Sequence, residues 1–200
     1  MATITEERIQ APTRYLFTSD EYVRMHEGCI FEEDDRVELV EGEIIQMSPI
    51  GDRHMRCVIY LDELLSEALG RRAIVSAQNP VHIGTRNYPQ PDVVVLRPEW
   101  RRRTGVPIST DVLLLVEVSD SSFRFDSTVK LPMYARIGVP EVWIVNLNAD
   151  IVLRYTRPSE EGYGSLTTYG RGETVECTTL PSVRLAVDDV LPRTADPEES

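Results

Sequence analysis

Of the 21 lysines and arginines in this 200-residue chain, only one, Lys130, is a lysine. Arginine stays charged, whereas lysine is a compact donor whose pKa responds to burial, so the lone lysine marks a position where the two are not interchangeable. Two acids stand upstream of it in apolar runs. Asp92 follows Pro91 and opens Val93-Val94-Val95-Leu96, and Glu117 interrupts the run from Val112 to Val118. An ionised carboxylate in a buried strand is costly unless a cation or several donors compensate it. If the two strands are neighbours, their acids meet at one end of a sheet, where like charges raise each other's pKa and a divalent cation resolves the repulsion. Hard oxygen donors, with no thiolate and no clustered histidine, favour Mg²⁺ or Mn²⁺ over zinc. Two acids and a lysine around such an ion are the outline of a metal-dependent hydrolase. Each residue also has a plainer reading: a survivor of a lysine-poor composition, an aspartate capping a strand, a glutamate paired with an arginine.

Those side chains need rigid elements beneath them. Thr18-Ser19-Asp20-Glu21 is a capping-box pattern that opens a short helix reaching about Glu27. The run from Arg36 to Ser48 reads as two short strands joined near Glu41-Gly42. Within it Glu38 alternates with Val37 and Leu39, so by itself it reads as a solvated strand residue. Residues 52–69 are the clearest helix, with Met55, Val58, Ile59, Leu65 and Leu69 as its expected apolar face. Beyond Gly70 the period changes. Residues 73–78, 81–84, 91–96 and 111–118 are short apolar or β-branched runs, and the last two are continuous enough for central strands covered on both faces. Residues 97–110 read as a polar, proline-broken loop. A second helix is expected from near Val129 to Ile137, with Pro132 in its first turn and Gly138 as its stop. Strands follow at 141–147, 151–156, 164–170 and 173–177, with turns at Asn148-Ala149 and around Gly162–Gly164. This order predicts a mixed α/β domain with one sheet and helices packed on it.

The composition, 42% hydrophobic and 27% charged, is that of a folded chain. One domain is expected over residues 14–191, with a flexible arm at 1–13 and a disordered acidic tail at 192–200. No apolar run is long enough to span a bilayer, and the start lacks the basic-then-apolar pattern of a signal peptide. Cys29, Cys57 and Cys177 contain no Cys-x-x-Cys pair and read as incidental thiols in a reducing cytoplasm. His26, His54 and His82 form no His-Glu-x-x-His pattern, which argues against a zinc protease. A net charge of −12 argues against general coating of nucleic acid. Much of that excess is local, because residues 20–43 hold ten acids against Arg24 and Arg36. Arg71-Arg72 and Arg101-Arg102-Arg103 leave room for a local basic surface.

Several segments taken in order say more than any one alone. They are Arg36 to Pro49, His54, Gln90 to Leu96, Leu113 to Asp120, and a pattern opening at Asp126 that reads Asp-x-x-x-Lys-Leu-Pro-x-Tyr-Ala-x-x-Gly-Val-Pro-Glu-x-Trp-Ile-Val. Together they resemble the Uma-type putative restriction endonuclease family of the PD-(D/E)XK, or restriction endonuclease-like, superfamily. The resemblance runs from about residue 18 to about residue 190. It implies a restriction endonuclease-like fold, with a mixed central β-sheet flanked by helices and an N-terminal helix and β-hairpin. It also implies acids and a lysine around Mg²⁺ (or Mn²⁺).

Carried over residue by residue, Glu38 resembles the family's early acid, Asp92 the aspartate of the Pro-Asp pair, and Glu117 the acid of the Glu-x-Lys element. Where that element has its lysine, this chain has Ser119, on the same side of the strand as Glu117. Lys130 is similar to a relocated lysine reaching in from the following helix. The implied catalytic set is Glu38, Asp92, Glu117 and Lys130, with Asp92, Glu117 and Glu38 as metal ligands. Gln90, on the same side of an extended segment as Asp92, could orient a water. Tyr134 shares the Lys130 helix face or belongs to the core. His54 could hydrogen-bond near the site or lie on the surface, and Asp126 could pair with Lys130 or cap its helix. By resemblance the chain is a Mg²⁺-dependent endonuclease acting on DNA. A homodimer is expected from the resemblance and from strand-rich C-terminal segments that could expose an edge, and a cytoplasmic location from its thiols. The contrasting expectation, drawn from the acidic charge and Ser119, is a non-catalytic binding or assembly module whose carboxylates are tied up by arginines.

Overall fold

The capping box works as its sequence predicts. The Thr18 side chain accepts from the Glu21 N–H, Glu21 accepts from the Thr18 backbone in return, and α1 (Ser19–Glu27) follows. This is a computed structural model, and it describes residues 13–32 and 34–193. The expected N-terminal arm, apart from residue 13, and the expected acidic tail, apart from residues 192–193, lie outside the described residues.

The hairpin of β1 (Val37–Val40) and β2 (Glu43–Gln46) turns at Glu41 and Gly42, both at positive φ. Glycine is required at 42: a Cβ there would lie 2.8 Å from the Leu16 Cβ. Next comes α2 (Asp52–Leu69), with the expected bounds but a different face. Cys57, Val58, Leu61, Leu65 and Leu69 are buried, whereas Met55 and Ile59 are 47% and 49% exposed. The stripe that docks on the sheet is Cys57-Leu61-Leu65-Leu69, four-residue steps along one side of the helix.

The strands β3 (Ile74–Ala77), β4 (Val93–Leu96), β5 (Val112–Ser119), β6 (Glu141–Asn146), β7 (Ile151–Ser159) and β8 (Gly162–Gly170) form one six-stranded sheet in sequence order. Every pairing is antiparallel except β5 with β6, which is parallel. Parallel neighbours need a crossover, and here it is helical. Val93 and Val95 face the α2 side with Leu114, Val116 and Val118, while Val94, Leu96 and Leu115 pack on the crossover side. Both central strands are therefore covered on both faces, as their continuous apolar runs require.

The crossover begins earlier than Pro132 suggests. It opens with α3 (Phe123–Phe125), widens into a π turn (Asp126–Lys130) and continues as α4 (Leu131–Arg136). The Leu131 N–H bonds the Asp126 carbonyl five residues back, so the helix is already wide where Pro132 withholds its N–H. The π turn leaves both of its charged ends, Asp126 and Lys130, buried. Other expectations need correction. Residues 81–84 are irregular chain with one bridge, His82 to Ile108. Val81 and His82 donate to the carbonyls of Pro89 and Pro107, which have no N–H to return and so cannot extend a ladder. The expected loop at 97–110 contains two short 3-10 turns, Pro98–Arg102 and Ser109–Asp111. Gly162 and Tyr163 lie within β8, so that turn falls at Glu160-Glu161. There are also two small sheets besides the central one: the hairpin, and β9 (Thr174–Glu176) with β10 (Arg184–Ala186), followed by α5 (Val187–Val190). No described helix is long and apolar enough to cross a membrane.

Candidate active site

The last paired residues of β4 and β5 are Val93 and Val116, and one further step of that register sets Asp92 opposite Glu117. Both acids are buried where β4 begins and β5 ends. Asp92 is fixed by its own backbone neighbourhood, for its Oδ2 accepts the Val118 N–H at 2.7 Å. Glu117 is fixed from the crossover helix: its Oε1 accepts the Tyr134 hydroxyl at 2.6 Å and Lys130 Nζ at 3.3 Å. Lys130 Nζ also lies 2.9 Å from Glu38 Oε1, while Glu38 Oε2 accepts the Gln90 backbone N–H at 3.1 Å. Hairpin, strand ends and π turn thus converge on one ammonium. Glu38 is 3% exposed, not solvated, because the side of β1 turned away from Leu39 meets Lys130.

Burial pushes the Glu117 carboxyl up to about 8; Lys130 pulls it down, but Asp126, Asp92 and Glu38 add to the rise. Burial works against the Lys130 cation, yet the charges of Glu117, Glu38 and Asp126 outweigh it and raise its pKa. Burial, then Glu117 and Glu38, hold the Tyr134 hydroxyl well above its ordinary value. Glu38, Asp92, Glu117 and Asp126 all line, with Lys130, a cleft of about 390 Å³. That excess of carboxylate over ammonium, built of hard oxygens, suits a divalent cation. Among the described residues no group of three or more His, Cys, Asp or Glu side chains forms a metal cage. Mg²⁺ does not require one, since it is typically held by one or two carboxylates and keeps several waters.

The family described as Uma2, putative restriction endonuclease, matches residues 19–188. The chain belongs to the Uma2 family. A crystal structure of a putative nuclease belonging to DUF820 from Anabaena variabilis is similar in fold, with a TM-score of 0.69 at 17% identity over 87% of this chain and 97% of that one. The fold is restriction endonuclease-like. No match is found among curated proteins. Family and fold class this Uma2 chain with restriction endonuclease-like nucleases, which usually need a divalent metal.

The remaining candidates in the Uma2 site fall into place unevenly. His54 Nε2 lies 3.1 Å from Asp92 Oδ1, so it is part of the cluster; burial disfavours its cation, but the Asp92 hydrogen bond and charge raise its pKa overall. Its Nδ1 is buried without a partner. Ser119 does not stand in for the lysine. Its hydroxyl donates to Asp126 Oδ2 at 2.7 Å, and Ser122 donates to the same oxygen at 2.6 Å. Asp126 therefore neither pairs with Lys130 nor caps the helix; it is held by two serines in the cleft wall. The Gln90 side-chain amide donates to the Gln78 carbonyl at 2.5 Å, and the residue lines the cleft with Asp92. Among the described residues, no arginine pairs with Glu38, Asp92 or Glu117. Sequence reasoning missed Arg36 and Asp120, which also line the cleft. The available signal was spacing: Arg36 is two residues before Glu38, and so on its side of an extended chain.

Proposed function

We propose that the protein is a divalent-metal-dependent endonuclease that hydrolyses DNA phosphodiester bonds. One observation carries this reading: the only lysine in the chain lies 2.9 Å from Glu38 and 3.3 Å from Glu117, beside Asp92, where Ser119 supplies no cation. Asp92 and Glu117, with Glu38 beside them, are the residues that would hold Mg²⁺ or Mn²⁺. Such an ion, when bound, supplies Lewis-acid activation of the phosphate and of the attacking water. Lys130, held by Glu38 and Glu117 in the cleft wall, is the cation that would stabilise charge developing on the reacting phosphate. His54 steadies Asp92, and Tyr134 sets the Glu117 rotamer. The experiment is cleavage of duplex DNA with Mg²⁺ or Mn²⁺ by the wild type, Asp92→Asn and Lys130→Ala. Each variant is expected to lose at least about a hundredfold in rate, and unchanged cleavage in both would sink these assignments.

A second reading, a non-catalytic module of the same fold, draws on Ser119 and on the closed ion pairs of Lys130. Calorimetric titration with Mn²⁺ separates the two. Binding abolished by Glu117→Gln supports the enzyme, and no binding to the wild type supports the module. We further propose a cytoplasmic homodimer. The sheet edge β8 presents Leu166 at 54% exposure, and the free thiols Cys29, Cys57 and Cys177 suit a reducing compartment.

A further inference from the structure

The cleft that faces Asp92 and Glu117 repels what a nuclease must admit. Its lining carries Glu38, Asp92, Glu117, Asp120 and Asp126 against two permanent cations, Arg36 and Lys130. Lys130 cannot reach out to a substrate chain, because its side chain is 5% exposed and enclosed between two glutamates. Arg36 differs in every respect. It is the only arginine in the cleft lining, half-buried at the entry to β1. Its Nη1 donates to the Ser48 carbonyl at 3.1 Å, and its own carbonyl accepts the Met47 N–H at 2.8 Å, so the residue is clamped across the hairpin. No carboxylate among the described residues forms an ion pair with it. It shares the cleft wall with Asp92 and Glu117, and its charge reaches His54, the residue that touches Asp92. A guanidinium has five N–H donors in a planar fork that matches phosphate, and the bond to Ser48 uses one of them.

We propose that Arg36 forms a phosphate subsite on the hairpin wall, which grips a backbone phosphate next to the one brought to Asp92 and Glu117. The proposal rests on the nuclease reading and narrows it. The substrate becomes a polynucleotide with a neighbouring phosphodiester, because that neighbour supplies the anion Arg36 holds. Lys130 and Arg36 then divide the work: the buried ammonium serves the reacting centre and the clamped guanidinium serves the chain leading to it.

The test is fluorescence anisotropy of a labelled DNA duplex across a salt series, with Ca²⁺ replacing Mg²⁺. The proteins compared are the wild type, Arg36→Ala, Arg36→Lys and Arg157→Ala, the last removing an exposed guanidinium at the opposite end of the sheet. Arg36→Ala is expected to weaken binding about tenfold and to lower the slope of log affinity against log salt by about one contact. Arg36→Lys should restore the slope and only part of the affinity, since an ammonium keeps the charge without the fork. Mn²⁺ titration of each variant reports an intact fold. Equal affinity and slope in Arg36→Ala and wild type overturn the subsite and leave the nuclease reading standing. So does an equal loss in Arg157→Ala, which marks a general charge effect. Failure of the wild type to bind or cut DNA overturns the nuclease reading, and the subsite with it.

Discussion

Glu117 and Glu141 are both enclosed, on adjacent strands of one sheet, yet they meet opposite environments. Glu141 opens β6 at the end away from the cleft, with 0% exposure. Its Oε1 accepts the Trp143 indole N–H at 2.7 Å; its Oε2 accepts the backbone N–H groups of Thr178 at 2.8 Å and Thr179 at 3.3 Å, and the Thr178 hydroxyl. Every one of those donors is neutral, and both oxygens are served. This acid fastens the C-terminal segment to the sheet. Glu117 has Tyr134 and Lys130 on one oxygen, and Asp92, Glu38 and Asp126 close enough to raise its pKa. A buried acid is therefore not in itself a site. A buried acid crowded by like charge, with an open cleft in front of it, is the one to test.

The sharpest way to break this contrast is to make the same change at both ends. Glu141→Gln puts an amide N–H where one oxygen now accepts, so it leaves either the indole or the threonine donors unpaired. A loss of about 2 kcal/mol is expected in denaturant unfolding. Glu117→Gln removes an acid whose ionisation burial and neighbouring carboxylates disfavour in the metal-free fold. Its stability should be unchanged or higher, while DNA cleavage and Mn²⁺ binding are lost. Equal destabilisation by the two substitutions would erase the distinction.

Acidity provides a finer test, through thermal unfolding in EDTA. Glu117 rises from an ordinary 4.5 to about 8 in the fold, so between those values the native chain keeps a proton that the unfolded chain releases. Stability from this group is complete below about pH 4.5 and falls as pH rises to about 8. His54 acts in the same sense, because its raised pKa favours the fold below 6.5 and that gain is lost as pH climbs through the folded value. The metal-free wild type should therefore lose stability from about pH 5 to about pH 8 relative to Glu117→Gln. Mn²⁺ binding, which requires the carboxylate, should tighten over the same range. Parallel profiles for wild type and Glu117→Gln would remove Glu117 as the titrating group.

How far the sequence foretold these ends depended on the kind of signal. The capping box, the hairpin and the two apolar central strands were legible because caps and hydrophobic runs are local. The face of α2 was not, since Met55 and Ile59 share a helical period with Val58, and only the docked sheet selects Cys57 and Leu61. The π turn was hidden behind Pro132, whose ordinary meaning is a helix start. Strand β10 and α5 were missed because Arg184 to Val190 is short and half polar. For the acids, alternation gave the direction of Glu38 but not what lay there. The apolar run flagged Glu117, while nothing local in Glu141-Val142-Trp143 announced partners at Thr178 and Thr179, 37 and 38 residues further on.

The smallest expected effect comes from removing one hydroxyl at each end. Tyr134→Phe deletes the 2.6 Å bond to Glu117 Oε1, and Thr178→Val deletes a hydroxyl donor to Glu141 Oε2. Either should cost about 1 kcal/mol of stability, the net worth of one hydrogen bond to an acid that keeps other donors. Their consequences then diverge. Glu141 keeps the indole and two backbone N–H groups, so Thr178→Val should leave the pH dependence of Mn²⁺ binding where it is. Glu117 keeps only Lys130, and losing a donor to its charged form favours the acid further. The pH at which Mn²⁺ binding reaches half its limit should move upward in Tyr134→Phe, read by titration at a series of pH values. A shift of equal size in Thr178→Val would mean that the whole sheet is responding, and not the cleft.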